Sequence, residues 1–344
     1  MKTGKWYETM GNEGDVAFST RVRLARNLAQ FPFPARLDEA GRRRVTAQAQ
    51  TALQELLPEL RFIDMAQLPR TQALSLAERW LISPAFAQGK PGGALLLNPE
   101  ETVSIMLCEE DHIRLQVLQA GLALQEAYRI ADQIDSALGA RLSLAFDEQL
   151  GYLTQCPTNL GTAMRASVEL HLPALTALGR VARLGEGISK LGLTIRGTHG
   201  EGSEAQGALY QLSNQITLGI TEEAALENLQ AITLQIAEQE RRAAAELLRQ
   251  PQAEDQVWRA YGILQSARRM ESQEALRLLS LVRMGAVRGL LPVKKEAVHA
   301  LLPLIQPATL SLQNAAGEQP AAQDRDALRA AVIRERLAAS GSKI

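Results

Sequence analysis

Cys156-Pro157-Thr158-Asn159-Leu160-Gly161-Thr162-Ala163-Met164-Arg165 runs without a break into Ala166-Ser167-Val168-Glu169-Leu170-His171-Leu172. In the second half apolar residues occupy every other position, 166, 168, 170 and 172, the pattern of a strand with one buried face. The first half reads as a loop. Cys156 precedes a proline and is held extended, and Thr158, Asn159 and Gly161 supply a tight turn that opens onto Arg165. Working outward, further strands are expected at 93–98, 102–108, 112–118, 142–146, 190–196 and 207–218. They alternate with helices over 38–57, where Asp38 is the N-cap, and near 66–82, 121–138, 173–184 and 221–249. Beyond Gln250-Pro251-Gln252 the pattern turns purely helical, at 254–270, 272–289, 294–305 and 323–339. The reading is a mixed α/β unit with a substantial sheet over residues 1–250, followed by an all-helical unit over 251–344.

Composition narrows the partners. A formal charge of -1 leaves no general polyanion surface, so any anion site must be built locally and nucleic acid is not expected as a primary ligand. The segment Met1–Met10 has no apolar core of a leader peptide and no run approaches bilayer length, so a cytoplasmic, non-membrane protein is expected. The two cysteines, Cys108 and Cys156, are expected as free thiols in a reducing compartment.

Four short motifs gather charged residues onto what read as strands and loops. If Ser19–Leu24 is extended, Arg21 and Arg23 share a face as a pair of guanidinium forks. Arginines two apart on a strand are more often plain surface residues, so this pair carries weight only with the others. The same period applied to Cys108-Glu109-Glu110-Asp111-His112-Ile113-Arg114 puts Glu110, His112 and Arg114 on one face and turns Asp111 away as a structural residue. Polar and cationic neighbours favour the thiolate of Cys156, and the loop Gly197–Gly202 after Arg196 brings Glu201 on a backbone that permits close approach to a ligand. There is no P-loop, no protein-kinase catalytic loop and no zinc-type cluster. Any ATP would therefore be held by side-chain arginines, with magnesium expected on its phosphates. Arginines beside carboxylates suit the transfer of phosphate to a cationic acceptor.

Taken together, Ser19-Thr20-Arg21-Val22-Arg23, the Glu109-Glu110-Asp111-His112 run, Cys156–Thr162 with Arg165, and Arg196-Gly197-Thr198-His199-Gly200-Glu201 resemble the guanidino (phosphagen) kinases over residues 19–220, most closely the bacterial protein arginine kinases. The resemblance implies a large, mostly antiparallel sheet edged by helices. It implies ATP-phosphate binding by Arg21, Arg23, Arg114, Arg165 and Arg196, guanidinium handling by Glu110 and Glu201, and a supporting thiolate at Cys156. Two positions depart from the pattern: Cys108 stands where the family carries Asn, and Trp80 where relatives carry a nucleotide-stacking His, a role an indole can also fill.

Small-molecule members of the family carry a helical domain ahead of the Ser-x-Arg-x-Arg motif, whereas 18 residues precede Ser19 here, so an open site and arginine presented on a protein are expected. Arg325-Asp326-Ala327-Leu328-Arg329-Ala330 resembles a phosphoarginine-binding motif of the protein arginine kinases, in which Arg325 and Arg329 would share a helix face with Asp326 nearby. The apolar positions Leu276, Leu279, Val282, Leu301, Leu302 and Leu304 suggest packing on a second chain and hence a homodimer. The implied partners are protein substrates with accessible arginines, an activator protein and a Clp-type protease or chaperone of bacterial protein quality control. Two alternatives stand beside the protein arginine kinase: a kinase for free arginine or another small guanidino compound, and an inactive adaptor that binds ATP or phosphoarginine.

Overall fold

A computed structural model describes residues 4–198, 205–313 and 321–340. In chain order the first part comprises β1 (Ala17–Arg26), α1 (Glu39–Leu56), β2 (Arg61–Asp64), α2 (Arg70–Glu78), β3 (Ala94–Leu97), β4 (Val103–Leu107), β5 (Ile113–Ala120) and α3 (Leu124–Gly139). There follow the short pair β6 (Phe146–Asp147) and β7 (Gly151–Tyr152), then β8 (Met164–His171), α4 (Pro173–Ala177), α5 (Val181–Ser189), β9 (Leu193–Gly197), β10 (Leu209–Asn214) and α6 (Glu222–Leu247). The remainder is helical: α7 (Pro251–Ser266), α8 (Ser272–Val287), α9 (Lys295–Leu304), α10 (Pro307–Ser311) and α11 (Ala322–Ser340).

The main sheet has eight strands in the order β2-β3-β4-β5-β1-β8-β10-β9, and every pairing is antiparallel. β1 lies near the centre because its sequence alternates: Val22 and Leu24 are buried on one face, while Arg21 and Arg23 stay part-exposed on the other. Val117 on β5 and Val168 on β8 continue the apolar face, which α3 and α6 cover. Their own apolar stripes, including Ala127 and Ala131 on α3 and Leu229 and Ile236 on α6, are buried. Asp38 caps α1 by accepting from Gly41 N at 2.7 Å.

The elements depart from the sequence reading where local chemistry outweighs periodicity. The strand expected at 142–146 shrinks to the β6–β7 hairpin and a single bridge between Leu28 and Leu144. The helix expected over 173–184 breaks into α4 and α5 at Gly179, whose φ of +65° no helix accommodates. The residues that suggested a second chain are instead consumed within this one: Leu276, Leu279, Val282, Leu301 and Leu302 are all buried, and Leu304 is partly so.

Candidate active site

The polar face of the sheet is assembled by register. Arg23 lies directly opposite Arg165 of β8 on one side and Gln116 of β5 on the other; Arg21 lies opposite Ser167 and Leu118, and Ser19 opposite Glu169. Since same-face residues recur every second position, β1, β5 and β8 together present Arg21, Arg23, Arg114 and Arg165 to one side. Arg196 joins them from β9, two strands beyond β8. A cleft of about 290 Å³ opens over this face, lined by Arg21, Arg23, Arg114 and Gln116 and walled by Trp80 and Ile82.

The forks fall into two kinds. Arg165 and Arg114 are held in place. Arg165 Nε donates to Asn159 Oδ1 at 3.0 Å and its terminal nitrogens to the carbonyls of Asn214 and Thr158, while Arg114 donates to Glu109 Oε2 at 2.6 Å. Arg21 and Arg23 are different: the Nε of each is buried and has no hydrogen-bond partner among the described residues. Burial lowers the Arg21 pKa to about 10. Arg23 falls well below its ordinary value through burial, reinforced by the charges of Arg21, Arg114 and Arg165. Buried donors left without acceptors are uncommon, and a group of mutually repelling guanidiniums is relieved most by a polyanion.

Glu110 sits on the turn between β4 and β5. The strand begins only at Ile113, so Glu110, His112 and Arg114 do not form the single strand face expected from the sequence. His112 is fully buried, its Nδ1 accepting from Leu28 N at 3.0 Å and its Nε2 lying 2.9 Å from Pro32 O. Asp111 is buried as well, accepting from Asn27 Nδ2 and Gln155 N, so it ties the turn to the loop that leads to Cys156. Glu110, part-buried, has its pKa raised by burial and then by Asp111 and Glu109, against the opposing pull of Arg114 and Arg23. Its neighbour Glu109, which the sequence reading did not single out, is the carboxylate that fixes Arg114. Glu109 also accepts from Ser83 Oγ at 2.6 Å and from Glu110 N at 2.8 Å, and Arg114 keeps it below the usual carboxylate range.

Cys156 is part-exposed, with Sγ 3.1 Å from Thr158 Oγ1. It belongs to the same electrostatic group, because the charges felt by the Arg165 guanidinium are those of Cys156, Arg196 and Glu110. Cys108 is unrelated to it: Sγ points to the α1 backbone, 3.7 Å from Arg42 O, and burial pushes the thiol up to about 11. The departure at position 108 is thus a core substitution outside the cleft. Trp80 lines the cleft with a left-handed backbone at φ +60°, its carbonyl held by Gln116 Nε2 at 2.7 Å. Its ring packs against Trp6 and Phe18. Glu201 lies outside the described residues.

The C-terminal motif is distributed differently from its sequence reading. Arg325 and Asp326 are part-exposed, but Arg329 is 2% exposed. Its guanidinium donates to Ile305 O, Met270 O and Asp326 Oδ1. Arg329 is therefore a strut between helices, and the shared outward face expected of Arg325 and Arg329 does not form.

Comparison with known proteins places these features in context. The description "ATP:guanido phosphotransferase, C-terminal catalytic domain" matches residues 43–243, and "Protein-arginine kinase McsB C-terminal domain" matches 249–343. The protein-arginine kinase of Moorella thermoacetica is 45% identical over 98% of both chains, and that of Symbiobacterium thermophilum 45% over 97% of both. Among solved structures, the duplicated taurocyamine kinase from Schistosoma mansoni with bound transition-state-analogue components superposes with a TM-score of 0.60 at 30% identity. The superposition covers 67% of this chain and 33% of that one. Lombricine kinase, at 24% identity and a TM-score of 0.59, shares the fold. With the sheet, the arginine-lined cleft and matches of this extent in hand, the chain belongs to the ATP:guanido phosphotransferase family.

Proposed function

We propose that this protein is an ATP-dependent protein arginine kinase that transfers the γ-phosphoryl group of ATP to arginine side chains of other proteins. The observation that carries the reading is the pair of buried, unpartnered Nε donors on Arg21 and Arg23, set beside the fixed forks of Arg114 and Arg165 with Glu110 and Cys156 at the same end. Near full-length similarity to relatives named protein-arginine kinases supports a protein acceptor.

The chemistry follows from the charges. A guanidinium has a pKa above about 12 and is a poor nucleophile, so its attacking nitrogen must be aligned and relieved of a proton as it bonds to phosphorus. Glu110, a carboxyl with a raised pKa, takes that proton while the bond from phosphorus to the bridging oxygen breaks and ADP leaves. Glu201 holds the guanidinium from the second side, and the Cys156 thiolate balances its charge. Arg21, Arg23, Arg114, Arg165 and Arg196 grip the phosphates and Trp80 contacts the base. Magnesium carried on the nucleotide would supply further charge neutralisation, and the orphan arginine donors suit phosphate oxygens.

We further propose residues 1–250 as the catalytic unit and 251–344 as a helical unit with two roles. One is homodimer contact, for which the exposed Trp258 and Ile263 of α7 are the apolar candidates. The other is phosphoarginine recognition by Arg325 and Asp326. In the cytoplasm of a bacterium the product would mark proteins for a Clp-type protease or chaperone, with an activator protein acting on the kinase. The test is to incubate the purified protein with ATP and either an unfolded protein or free arginine. Acid-labile phosphate on protein arginines is expected; acid-stable phosphoserine as the main product overturns the reading, and equal turnover of free arginine replaces the acceptor.

A further inference from the structure

Among the described residues, Glu169 is the acidic side chain on the polar sheet face that the phosphoryl-transfer scheme leaves without a task. It sits on β8, paired with Ser19 and four residues along the strand from Arg165. It is 6% exposed and lines a small recess together with Arg21 and Trp80, both of which also line the main cleft. The Thr198 hydroxyl donates to its Oε1. Among the described residues no donor reaches Oε2 and no cation lies within ion-pair distance of the carboxylate. Burial pushes the acid up to about 7, against the pull of Thr198 and Arg21. A carboxylate buried with one partner is costly unless something else brings donors to it.

The position of that missing donor follows from β1. Its same-face residues Arg23, Arg21 and Ser19 step along the strand at about 7 Å intervals. Arg23 stands beside Arg165, at the end where Glu110 and Cys156 gather, and so marks the transferring phosphate. Arg21 comes next, and Glu169 lies a further step back opposite Ser19, in a recess that Arg21 and Trp80 also line. A nucleotide laid along this line puts its sugar there. Once ionised, a carboxylate only accepts, which is wrong for a phosphate and right for a vicinal diol, and acidic side chains read ribose hydroxyls in the same way in dinucleotide-binding folds.

We propose that Glu169 is the ribose reader of this cleft, its carboxylate accepting the 2′ and 3′ hydroxyls of the nucleotide and making the enzyme selective for ribonucleotides over deoxynucleotides. The proposal rests on the cleft being the ATP site. It assigns Glu169 a role in specificity, visible in KM more than in kcat.

The experiment compares ATP with 2′-deoxy-ATP and 3′-deoxy-ATP as phosphoryl donors to an unfolded protein, in the wild type, Glu169→Gln and Glu169→Ala. In the wild type the deoxy analogues should raise KM by roughly tenfold or more with kcat within about threefold, because they leave a buried acceptor unpaired. In Glu169→Ala the three nucleotides should become equivalent within about twofold. Glu169→Gln, which keeps one acceptor oxygen and nearly the same shape, should fall between. A wild type indifferent to the sugar overturns the proposal, as does an alanine variant that still discriminates. Should the alanine variant fail to fold, the wild-type comparison and the isosteric glutamine variant decide. Calorimetric titration with ADP and 2′-deoxy-ADP separates this inference from the kinase reading, since sugar discrimination in binding needs no phosphoryl transfer. A protein that discriminates in binding yet phosphorylates no arginine keeps the ribose reader and loses the proposed function.

Discussion

In the proposed transfer, the Glu110 carboxyl must be basic enough to take a proton and still be ionised when the acceptor arrives. Burial and two neighbouring acids raise its pKa, while Arg114 and Arg23 limit the rise. Glu110→Gln keeps the shape and removes the basicity, so kcat should fall by a factor of order 10²–10⁴ with the KM for ATP nearly unchanged. Steady-state kinetics with a protein acceptor checks this, and a near wild-type kcat would remove Glu110 from proton transfer. The sequence singles out this residue but puts it on a strand, whereas it lies on a turn. A run of three acids fits a period-two face on paper, and only the ladder's start at Ile113 and the burial of Asp111 and His112 show that it is a turn. The role of Glu109 was hidden for the same reason, because in a turn adjacent side chains point in unrelated directions and spacing does not say which carboxylate meets Arg114.

At the scale of elements, the short helix α4 depends on a residue far away in sequence. Glu240 of α6 accepts from the backbone nitrogens of Ala174 and Leu175 at 2.8 and 2.9 Å, satisfying the first turn of α4. Burial pushes its acid up to about 7. The folded protein therefore binds this proton more tightly than the unfolded chain does. Between the ordinary carboxylate range and about pH 7, stability falls as pH rises through the window. Glu240→Gln abolishes that proton, so its melting temperature relative to wild type should climb from pH 5 to pH 8. A flat or falling difference, measured by calorimetry at both pH values, would show that the amide contacts hold Glu240 ionised throughout. Most strands and the long helices were readable because their apolar period is sustained over several turns or alternations, whereas the four-residue β2 was missed and the strand read at 142–146 shrank to a bridge and a hairpin. The α4–α5 break and α10 were not, because five-residue helices carry too little periodicity and are fixed by tertiary partners such as Glu240 and, for α10, Glu78.

Across the whole molecule, the helices after residue 250 are joined to the catalytic sheet through a buried guanidinium. Arg283 of α8 is fully buried and donates to Gly14 O at 2.6 Å, Asp15 O at 2.9 Å and His171 Nδ1 at 2.8 Å. His171 closes the circuit, its Nε2 lying 2.9 Å from Ser280 Oγ, and burial lowers the Arg283 pKa to about 10. Such a network specifies one docking arrangement, and removing its centre leaves carbonyls without donors. Arg283→Met should cost about 3 kcal/mol of stability in urea denaturation while leaving Arg21, Arg23 and Arg165 in place. A loss below about 1 kcal/mol would mean that apolar packing alone joins the helices to the sheet. None of this was visible in the sequence, where Arg283 reads as one more charge on an amphipathic helix.

The aromatic cluster at the cleft wall has an optical consequence. Of the three tryptophans in the chain, Trp80 and Trp6 lie with ring centroids 5.8 Å apart, and Trp258 stands on the outer surface of α7. Trp80 faces the cleft and Phe18 bridges it to His299 of α9, with ring centroids 4.0 Å apart in the second contact. The protein thus carries its own chromophore pair at the wall of the proposed nucleotide cleft. Its emission should be quenched by a purine seated on the cleft wall, and its near-ultraviolet dichroism should respond to any shift of α9, with no label attached.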